Sequence, residues 1–275
     1  MTRESEGGFL RPFSEIAPDV CEGLAWFCTD IDDTMTTDGM LPAASYEALW
    51  KLHHAGIAVV PITGRPAGWC DHIARFWPVA AVVGENGAFY FSYDREARKM
   101  EREYLSSQAE REEGAGRMKR LRDRVLSEVP GAAIAADQPY RLTDLAIDFR
   151  EDVAPLGPAA VRKICAIAEE ERLTYKVSSI HVNCWFGSHS KVKCLNKYLK
   201  DRAGSNLDAV QERLLFIGDS PNDEPIFAEI RNSVGVANIR AFEGELTHPP
   251  HFVTSARNGD GFCEAVDLIL QYRAQ

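Results

Sequence analysis

The stretch that decides the fold is "LAWFCTDIDDTMTTDG", residues 24–39. A short apolar run ends there in three aspartates, Asp30, Asp32 and Asp33. A run of this length is typical of a β-strand that is buried on both faces, as in a parallel sheet. Taken alone, the aspartates fit a turn or a helix cap as well as a ligand site. Unpaired carboxylates are costly to bury together, however, so the residues at the other strand ends are needed to distinguish these interpretations.

Further short apolar runs alternate with helical patterns along the chain. Strands alternating with helices predict βαβ units and an α/β fold with a Rossmann-like, doubly wound parallel sheet. The predicted strands are residues 24–29, 57–62, 80–83, 214–217, 234–237 and 252–254, and the clearest flanking helices are residues 43–54 and 260–272.

The middle of the chain breaks this alternation. It contains a predicted hairpin, helices at residues 108–128 and 158–172, and three further short strands. Two helices and an antiparallel sheet make an α+β unit that is large enough to fold as a domain. We therefore expect a catalytic core at residues 1–87 and 188–275 and an inserted cap domain at residues 88–187.

Charge and composition narrow the functional class. The formal net charge is −10, and the predicted insert holds 16 Lys and Arg against 17 Asp and Glu, so the acidity lies in the flanking segments. Without a basic stripe interleaved with aromatic residues, we expect no nucleic-acid partner. No apolar run has the length of a membrane span, and the seven cysteines form no CxxC pair. We predict a cytoplasmic protein without a membrane partner, as a monomer or a homodimer.

Polar side chains follow two other predicted strands where each strand ends. In an open α/β sheet, ligands bind at the carboxyl ends of the strands, so these side chains are candidates for one site. They are Thr63, Gly64 and Arg65 after residues 57–62, and Asp219, Asn222 and Asp223 after residues 214–217.

Lys191 stands in the first turn of a predicted helix, where a cation opposes the helix dipole. An exposed lysine would explain this position equally well, but the whole set suits phosphoryl transfer. Carboxylate oxygens are the ligands that Mg²⁺ prefers, and an aspartate nucleophile divides hydrolysis into two easier steps through an aspartyl-phosphate. Threonine and lysine can hold the phosphoryl oxygens.

Four motifs carry a resemblance to a known family. "DIDDT", "PITGR", "SKVKCL" and "GDSPNDEPIF", in this order, resemble the motifs of the haloacid dehalogenase (HAD) superfamily. The insert, "VVGENGAF" and "TSARNGDGF" are similar to its class II, Cof-like branch (subfamily IIB), which includes sucrose-phosphate, trehalose-phosphate and mannosyl-3-phosphoglycerate phosphatases. The first motif departs from the family at Asp33, where many members have glycine.

The resemblance implies a role for each motif residue. Asp30 would be the nucleophile and a Mg²⁺ ligand, and Asp32 the general acid and base with its backbone carbonyl on the metal. His181, His189 and Trp185 are expected in a hinge or core rather than in catalysis. Thr63 and Lys191 would bind the transferring phosphoryl group. Asp219 and Asp223 would complete the metal site, and Asp223 could also orient Lys191. Asn222 would approach the phosphate, and the residues near the leaving group would be Gly64, Arg65 and Asn86.

Three functions remain open on the sequence. The first is a Mg²⁺-dependent phosphatase of a small phosphorylated metabolite, most often a sugar phosphate in this branch. The second is a phosphomutase, because the related phosphomannomutases share the motifs and a class II type of cap. The third is a non-catalytic phosphoacceptor module such as a response-regulator receiver. Asp32 and the large insert favour an enzyme, since a receiver needs neither a proton donor nor a cap.

Overall fold

The computed structural model describes residues 10–178 and 180–274, which form thirteen β-strands and nine α-helices. The strands are β1 Arg11–Pro12, β2 Trp26–Thr29, β3 Ala58–Pro61, β4 Val82–Gly84, β5 Phe89–Asp94, β6 Lys99–Tyr104, β7 Ala133–Ile134, β8 Asp144–Asp148, β9 Thr174–Val177, β10 His181–Trp185, β11 Leu214–Gly218, β12 Asn232–Gly235 and β13 Phe252–Val253. The helices are α1 Pro18–Gly23, α2 Ala43–His54, α3 Ala67–Phe76, α4 Gln108–Glu128, α5 Pro158–Glu170, α6 Lys191–Ala203, α7 Leu207–Val210, α8 Glu224–Phe227 and α9 Asn258–Arg273.

The main sheet has six parallel strands in the order β1-β13-β12-β11-β2-β3. Helices cover both of its faces, as the alternation of side chains along β2 shows. Phe27 packs in the cluster that contains residues of α2 and α9, whereas Cys28 packs in the cluster that contains residues of α6 and α8. The doubly wound α/β class predicted from the sequence is confirmed.

Strand order brings the candidate residues to one edge of this sheet. Strand β2 lies between β11 and β3, and all three run in the same direction. The ladder continues past the strand ends, because the Asp30 amide donates to the Ile217 carbonyl at 2.9 Å. The Ile62 amide likewise donates to the Thr29 carbonyl at 2.8 Å. The backbone that carries the motif residues is therefore held at a fixed height above the sheet.

A second sheet is built from the middle of the chain. It is antiparallel, with the order β7-β8-β10-β9, and α4 and α5 pack on one of its faces. Leu121 and Val125 of α4 and Ile164 and Ile167 of α5 are fully buried there. Helix α4 begins at a capping box, in which Ser107 and Glu110 satisfy each other's backbone amides. We call this α+β unit the cap.

The hairpin β5–β6 packs differently from our expectation. We placed it in the insert that begins at residue 88, but Phe89 and Phe91 are buried in the main core, and Tyr90 contacts Tyr198 of α6. Strand β4 pairs with β5, and an Ile62–Val83 bridge joins β4 to the end of β3. The domain boundaries themselves stay a prediction, but the packing of the hairpin places it with the parallel sheet. None of the described helices combines the length and the apolar character needed to cross a membrane.

Candidate active site

Lys191 is the centre of the site. Its Nζ lies 2.8 Å from Oδ1 of Asp223 and 3.2 Å from Oδ1 of Asp30. All three side chains are buried, with 6%, 0% and 7% of the respective residues exposed. The two carboxylates raise the pKa of Lys191 above its ordinary value, although burial alone would lower it. The lysine therefore stays charged at the start of α6, where the helix dipole alone would disfavour it.

A third carboxylate joins these two. Oxygen atoms of Asp30, Asp219 and Asp223 lie within 4.8 Å of one another. Among the described residues, Lys191 pairs with Asp30 and Asp223 but not with Asp219, so the three carboxyl groups, when ionised, carry more negative charge than one lysine balances. Burial raises the pKa of Asp30 well above its usual range, and burial together with the Asp223 charge raises the pKa of Asp219 to about 8. This donor set fits a hard divalent cation such as Mg²⁺, which would supply the missing positive charge.

The loop after β11 fixes the position of Asp223. Its Oδ2 accepts a hydrogen bond from the Asp219 amide at 3.2 Å. A Cβ atom at Gly218 would lie 2.4 Å from the same oxygen, so only glycine allows the carboxylate to fold back against the strand end. Asn222 lies in the same turn and is partly buried. Within the described part of the chain, its side chain forms no hydrogen bond with the other predicted site residues.

Asp32 is bound by an arginine. The Nε atom of Arg65 lies 3.0 Å from both carboxylate oxygens of Asp32, and Nη2 lies 2.6 Å from Oδ1. The guanidinium also packs over the Trp69 ring, 4.5 Å from its centroid. The carboxylate of Asp32 is therefore outside the cluster of three. If Asp32 binds the metal, it does so through its backbone carbonyl, as the resemblance implies.

Thr63 and Asn86 lie together at the end of β3. The Thr63 hydroxyl accepts a hydrogen bond from the Arg65 amide at 3.0 Å, which leaves its proton free to donate. The Asn86 amide donates to the Thr63 carbonyl, and Asn86 has a left-handed backbone with φ of 56°. Its Nδ2 is buried and has no hydrogen-bond partner among the described residues. Both groups are available to an oxygen-rich ligand.

The turn that carries Asn86 also positions Lys191. Gly87 has a φ of 97°, and a Cβ there would lie 2.2 Å from the Ser190 carbonyl. Glycine is therefore required where this turn touches the start of α6. Ser190 is the N-cap of that helix and accepts a hydrogen bond from the Lys193 amide.

The departure of the first motif from the family has a structural explanation. Asp33 is exposed and adopts a left-handed backbone with φ of 57°, the conformation that glycine favours. Aspartate tolerates this region better than most residues. Nδ2 of Asn238 donates to the Asp33 carbonyl at 2.7 Å and so holds the loop after Asp30. No pattern in the sequence indicated this role for Asn238.

Glu85 is a second residue that the sequence interpretation missed. It is fully buried beside the site, and Oε1 accepts hydrogen bonds from the amides of Ala67 and Leu142, each at 2.9 Å. Oε2 accepts from the amide of Thr143 at 2.6 Å and from the Thr143 hydroxyl. We call this set the Glu85 clasp, because it joins the start of α3 to the residues before β8. The available signal was a charged residue inside an apolar run.

Arg141 strengthens the same contact between the cap and the main sheet. Its Nη1 donates to the Gly64 carbonyl at 3.2 Å and lies 2.9 Å from Oδ2 of Asp144. Nη2 pairs with Asp137 at 2.8 Å. Gly64, a predicted substrate-binding residue, is therefore engaged by the cap through its carbonyl.

Fold and site together define a class of enzyme. A parallel sheet that presents an aspartate cluster, a threonine and a buried lysine at its carboxyl edge, under an inserted cap, has the architecture of HAD-type hydrolases. Residues 27–112, which include Asp30, Asp32 and Thr63, match the family model of haloacid dehalogenase-like hydrolases. The resemblance to this group and the prediction of an enzyme are confirmed.

Solved structures extend the similarity of fold over the whole chain. A protein from Thermoplasma acidophilum has 18% sequence identity and a TM-score of 0.68, covering 90% of this chain and 98% of its own. The sucrose-phosphatase from Synechocystis, in complex with sucrose and phosphate, has 13% identity and a TM-score of 0.61, covering 89% and 97%. A HAD subclass IIB sugar phosphatase has 13% identity and a TM-score of 0.62, covering 88% and 98%. No curated protein matches the sequence.

Proposed function

We propose that the protein is a Mg²⁺-dependent phosphatase that hydrolyses a small phosphorylated metabolite, a sugar phosphate, through an aspartyl-phosphate on Asp30. The observation that carries this proposal is the position of Lys191, whose Nζ contacts both Asp30 and Asp223 beside the third carboxylate, Asp219. A carboxylate nucleophile next to a fixed cation and an under-neutralised acidic cluster suits attack on a phosphate ester.

The chemistry then follows from the chain's own residues. A carboxylate oxygen of Asp30 attacks phosphorus, the bond to the leaving oxygen breaks, and Asp32 gives that oxygen its proton. Asp32 next accepts a proton from the water that attacks the aspartyl-phosphate, which releases phosphate and restores Asp30. Lys191 and the Thr63 hydroxyl stabilise the phosphoryl oxygens. Asp30, Asp219 and Asp223 would hold Mg²⁺, whose positive charge would screen the phosphate from the nucleophile.

Arg65 bears on the second of these steps. Its guanidinium binds both oxygens of Asp32, the carboxylate that accepts a proton from water in that step. The same contact holds the carboxylate in one orientation. Arg65 is therefore a positioning residue for Asp32 in this proposal.

The substrate class rests on two further supports. Solved structures with the same fold include a sucrose-phosphatase, a sugar phosphatase and a trehalose-6-phosphate phosphatase related protein. The cap also brings polar side chains over the site, as described below, and polar groups are what a hydroxyl-rich leaving group needs.

Phosphate release from a panel of sugar phosphates, with Mg²⁺ present, tests the proposal. We expect one equivalent of inorganic phosphate for each sugar freed, and none from the Asp30→Asn variant. Conversion of one sugar phosphate into its isomer without phosphate release would instead identify a mutase. Phosphate binding without turnover of any ester would identify a binding module.

A further inference from the structure

The two faces of the cap sheet differ in chemical character. Leu145 and Ile147 of β8, with Val182 and Cys184 of β10, are buried against α4 and α5. Because successive side chains of a strand point to opposite faces, the residues between them lie on the other face. That face carries the side chains of Lys176 and Asn183, which we call the polar row.

The strand register defines this row. Asn183 of β10 lies opposite Lys176 of β9 on one side and opposite Ala146 of β8 on the other. Ala146 is fully buried and Asn183 is 8% exposed, although α4 and α5 lie on the other side of the sheet. This face is turned toward the main sheet, since Asp144, two positions before Ala146 in β8, pairs with Arg141, whose Nη1 also donates to the Gly64 carbonyl at the end of β3.

Lys176 is within electrostatic reach of the predicted site residues. Burial lowers its pKa, and the positive charge of Lys191 lowers it further, while Asp223 and Glu224 act in the opposite direction. All three of these neighbours belong to the catalytic edge of the main sheet or to the adjoining helix α8. Lys176 therefore lies on the side of the cap sheet that faces the proposed phosphoryl site.

Two polar groups of the row lack partners. Oδ1 of Asn183 is buried without a hydrogen bond from any described residue. The ammonium group of Lys176 likewise forms no hydrogen bond or ion pair within residues 10–178 and 180–274. By contrast Lys163, on the outer side of the cap, pairs with Glu128 at 2.7 Å. An unpaired acceptor and an unpaired cation in a partly closed space are costly unless a ligand completes them.

We propose that Lys176 and Asn183 bind the leaving group of the substrate, and that this group carries a hydroxyl and a second anionic group, either a carboxylate or another phosphate. The hydroxyl donates to Oδ1 of Asn183, and the anion accepts from the ammonium of Lys176. This inference rests on the proposed phosphatase function, which it makes more specific.

The anionic group follows from charge rather than from hydrogen bonding alone. A neutral hydroxyl can accept from an ammonium group, but it leaves the half-buried charge uncompensated. Asp223 is already paired with Lys191, and Glu224 accepts hydrogen bonds from the amides of Thr247 and His248. Neither of these carboxylates is therefore left to pair with Lys176, and we expect the partner to be a ligand with its own negative charge.

Matched substrates test the proposal directly. 6-Phosphogluconate is compared with glucitol 6-phosphate, and fructose 1,6-bisphosphate with fructose 6-phosphate, by release of inorganic phosphate. We expect kcat/KM for the anionic member of at least one pair to be about tenfold higher or more. The first pair detects a carboxylate and the second a phosphate. A parent enzyme that prefers the neutral member of both pairs overturns the proposal.

Substitution of Lys176 shows whether that preference arises in the cap. Lys176→Gln should raise KM for the preferred substrate about tenfold, change kcat by less than about threefold, and remove the preference between the paired substrates. Lys176→Arg should retain most of it. The matched control Lys163→Gln, which also removes a cap lysine, should leave both constants unchanged. A preference that survives in Lys176→Gln overturns the proposal.

Asn183→Leu separates a ligand role from a structural one. Leucine has a similar size but no carbonyl, so the midpoint of thermal unfolding without ligand should rise while KM rises as well. A structural asparagine would lose stability on the same change, which contradicts the proposal.

Failure of the phosphatase function remains distinguishable. If no ester releases phosphate, calorimetric binding of 6-phosphogluconate and fructose 1,6-bisphosphate to the Asp30→Asn variant still measures the cap. If adding Lys176→Gln to the Asp30→Asn variant lowers the affinity about tenfold, the result supports the site. Equal affinity in the variants with and without Lys176→Gln overturns it.

Discussion

Glu85 and the cluster of Asp30, Asp219 and Asp223 differ in how their carboxylate oxygens are bonded. Glu85 accepts three backbone amides and one hydroxyl, so both of its oxygens are fully bonded. Oxygen atoms of Asp30, Asp219 and Asp223 lie within 4.8 Å of one another, and Lys191 pairs with only Asp30 and Asp223. The first arrangement stabilises the contact between cap and main sheet. The second arrangement needs a further cation to balance its carboxylates, as expected of a cation-binding site.

The same difference separates the two sides of the cleft. On the main sheet, Asp32, the proposed general acid and base, is already held by Arg65, so its carboxylate is oriented before a substrate arrives. On the cap, Lys176 and Asn183 have no partner among the described residues. The protein itself thus orients the proposed reactive groups, whereas the proposed leaving-group site is completed only when a ligand binds.

The largest expected effect concerns the nucleophile. Asp30→Asn removes the anionic oxygen that attacks phosphorus, so turnover should fall to background. Asp32→Asn keeps the nucleophile but removes the proton donor and the later base, which together are worth about 10²–10⁴-fold. With p-nitrophenyl phosphate, whose leaving group needs little protonation, Asp32→Asn should give a burst of about one p-nitrophenol per site. Rapid-mixing absorbance at the wavelength of p-nitrophenolate measures it.

The two variants control for each other, because each replaces one aspartate by its amide in the same loop. Asp30→Asn should show no burst. A burst from Asp30→Asn would reverse the two roles, and equal, burst-free loss in both would leave the covalent step without support.

Metal removal should have the next largest effect. EDTA should abolish activity, and Mg²⁺ should restore it. At pH 9, above the pKa of about 8 that burial gives Asp219, the metal-free parent carries uncompensated charge that Asp219→Asn lacks. We therefore expect the metal-free Asp219→Asn variant to be more stable than the parent by about 1–3 kcal/mol.

Thermal unfolding with and without Mg²⁺ measures this stability difference and the binding of Mg²⁺ without reference to activity. Mg²⁺ should raise the midpoint of the parent and have little effect on Asp219→Asn. The exposed Asp152 provides a control, since Asp152→Asn should behave as the parent does. Equal stabilisation of all three proteins by Mg²⁺ would argue against the acidic cluster as the metal site.

The Glu85 clasp gives a smaller effect, and on stability rather than on chemistry. Glu85→Ala leaves the amides of Ala67, Leu142 and Thr143 without their acceptor, so the free energy of unfolding should fall by about 3–5 kcal/mol. Glu85→Gln retains one acceptor oxygen and should lose about half as much. Urea unfolding gives the totals, and hydrogen exchange at Leu142 and Thr143 shows where the contact opens.

An exposed glutamate of the cap serves as the comparison. Glu113 pairs with Arg117 on the surface of α4, and its replacement by alanine should cost no more than about 0.5 kcal/mol. If Glu85→Ala costs no more than Glu113→Ala, the clasp does not hold the cap.

Much of the fold could be predicted because its signals are local. Helices α2 and α4 have the predicted bounds, since Gly56 follows the first and a capping box begins the second. Five of the six parallel strands were visible as short apolar runs, whereas β1 was not predicted and the run at residues 80–83 forms β4, which pairs with β5 instead. These features depend on residues that are near one another in the sequence.

The missed features depend on distant partners. The hairpin β5–β6 has an apolar side, but its alternation does not show which of two sheets that side meets. Glu85 binds Leu142 and Thr143, which lie more than fifty positions away. Lys176 and Asn183 look like ordinary strand residues until the cap is placed over the main sheet. Sequence patterns reveal that a surface is buried, but not what buries it.

The smallest predicted effect concerns pH and His189 at the edge of the cap. Burial, and then the positive charge of Lys193, lower the pKa of His189 to about 4, below the usual value for histidine of about 6.5. Between these values the unfolded chain binds a proton that the folded protein excludes, so stability falls as the pH decreases from 7 to 5. We expect this residue to account for about 1–2 kcal/mol of that fall, after allowance for screening by solvent. Urea unfolding at both pH values should show a smaller decrease for His189→Gln than for the parent. His54→Gln, an exposed histidine on α2, should keep the full decrease, and the same slope in all three proteins would mean that His189 is protonated as readily in the folded state as in the unfolded one.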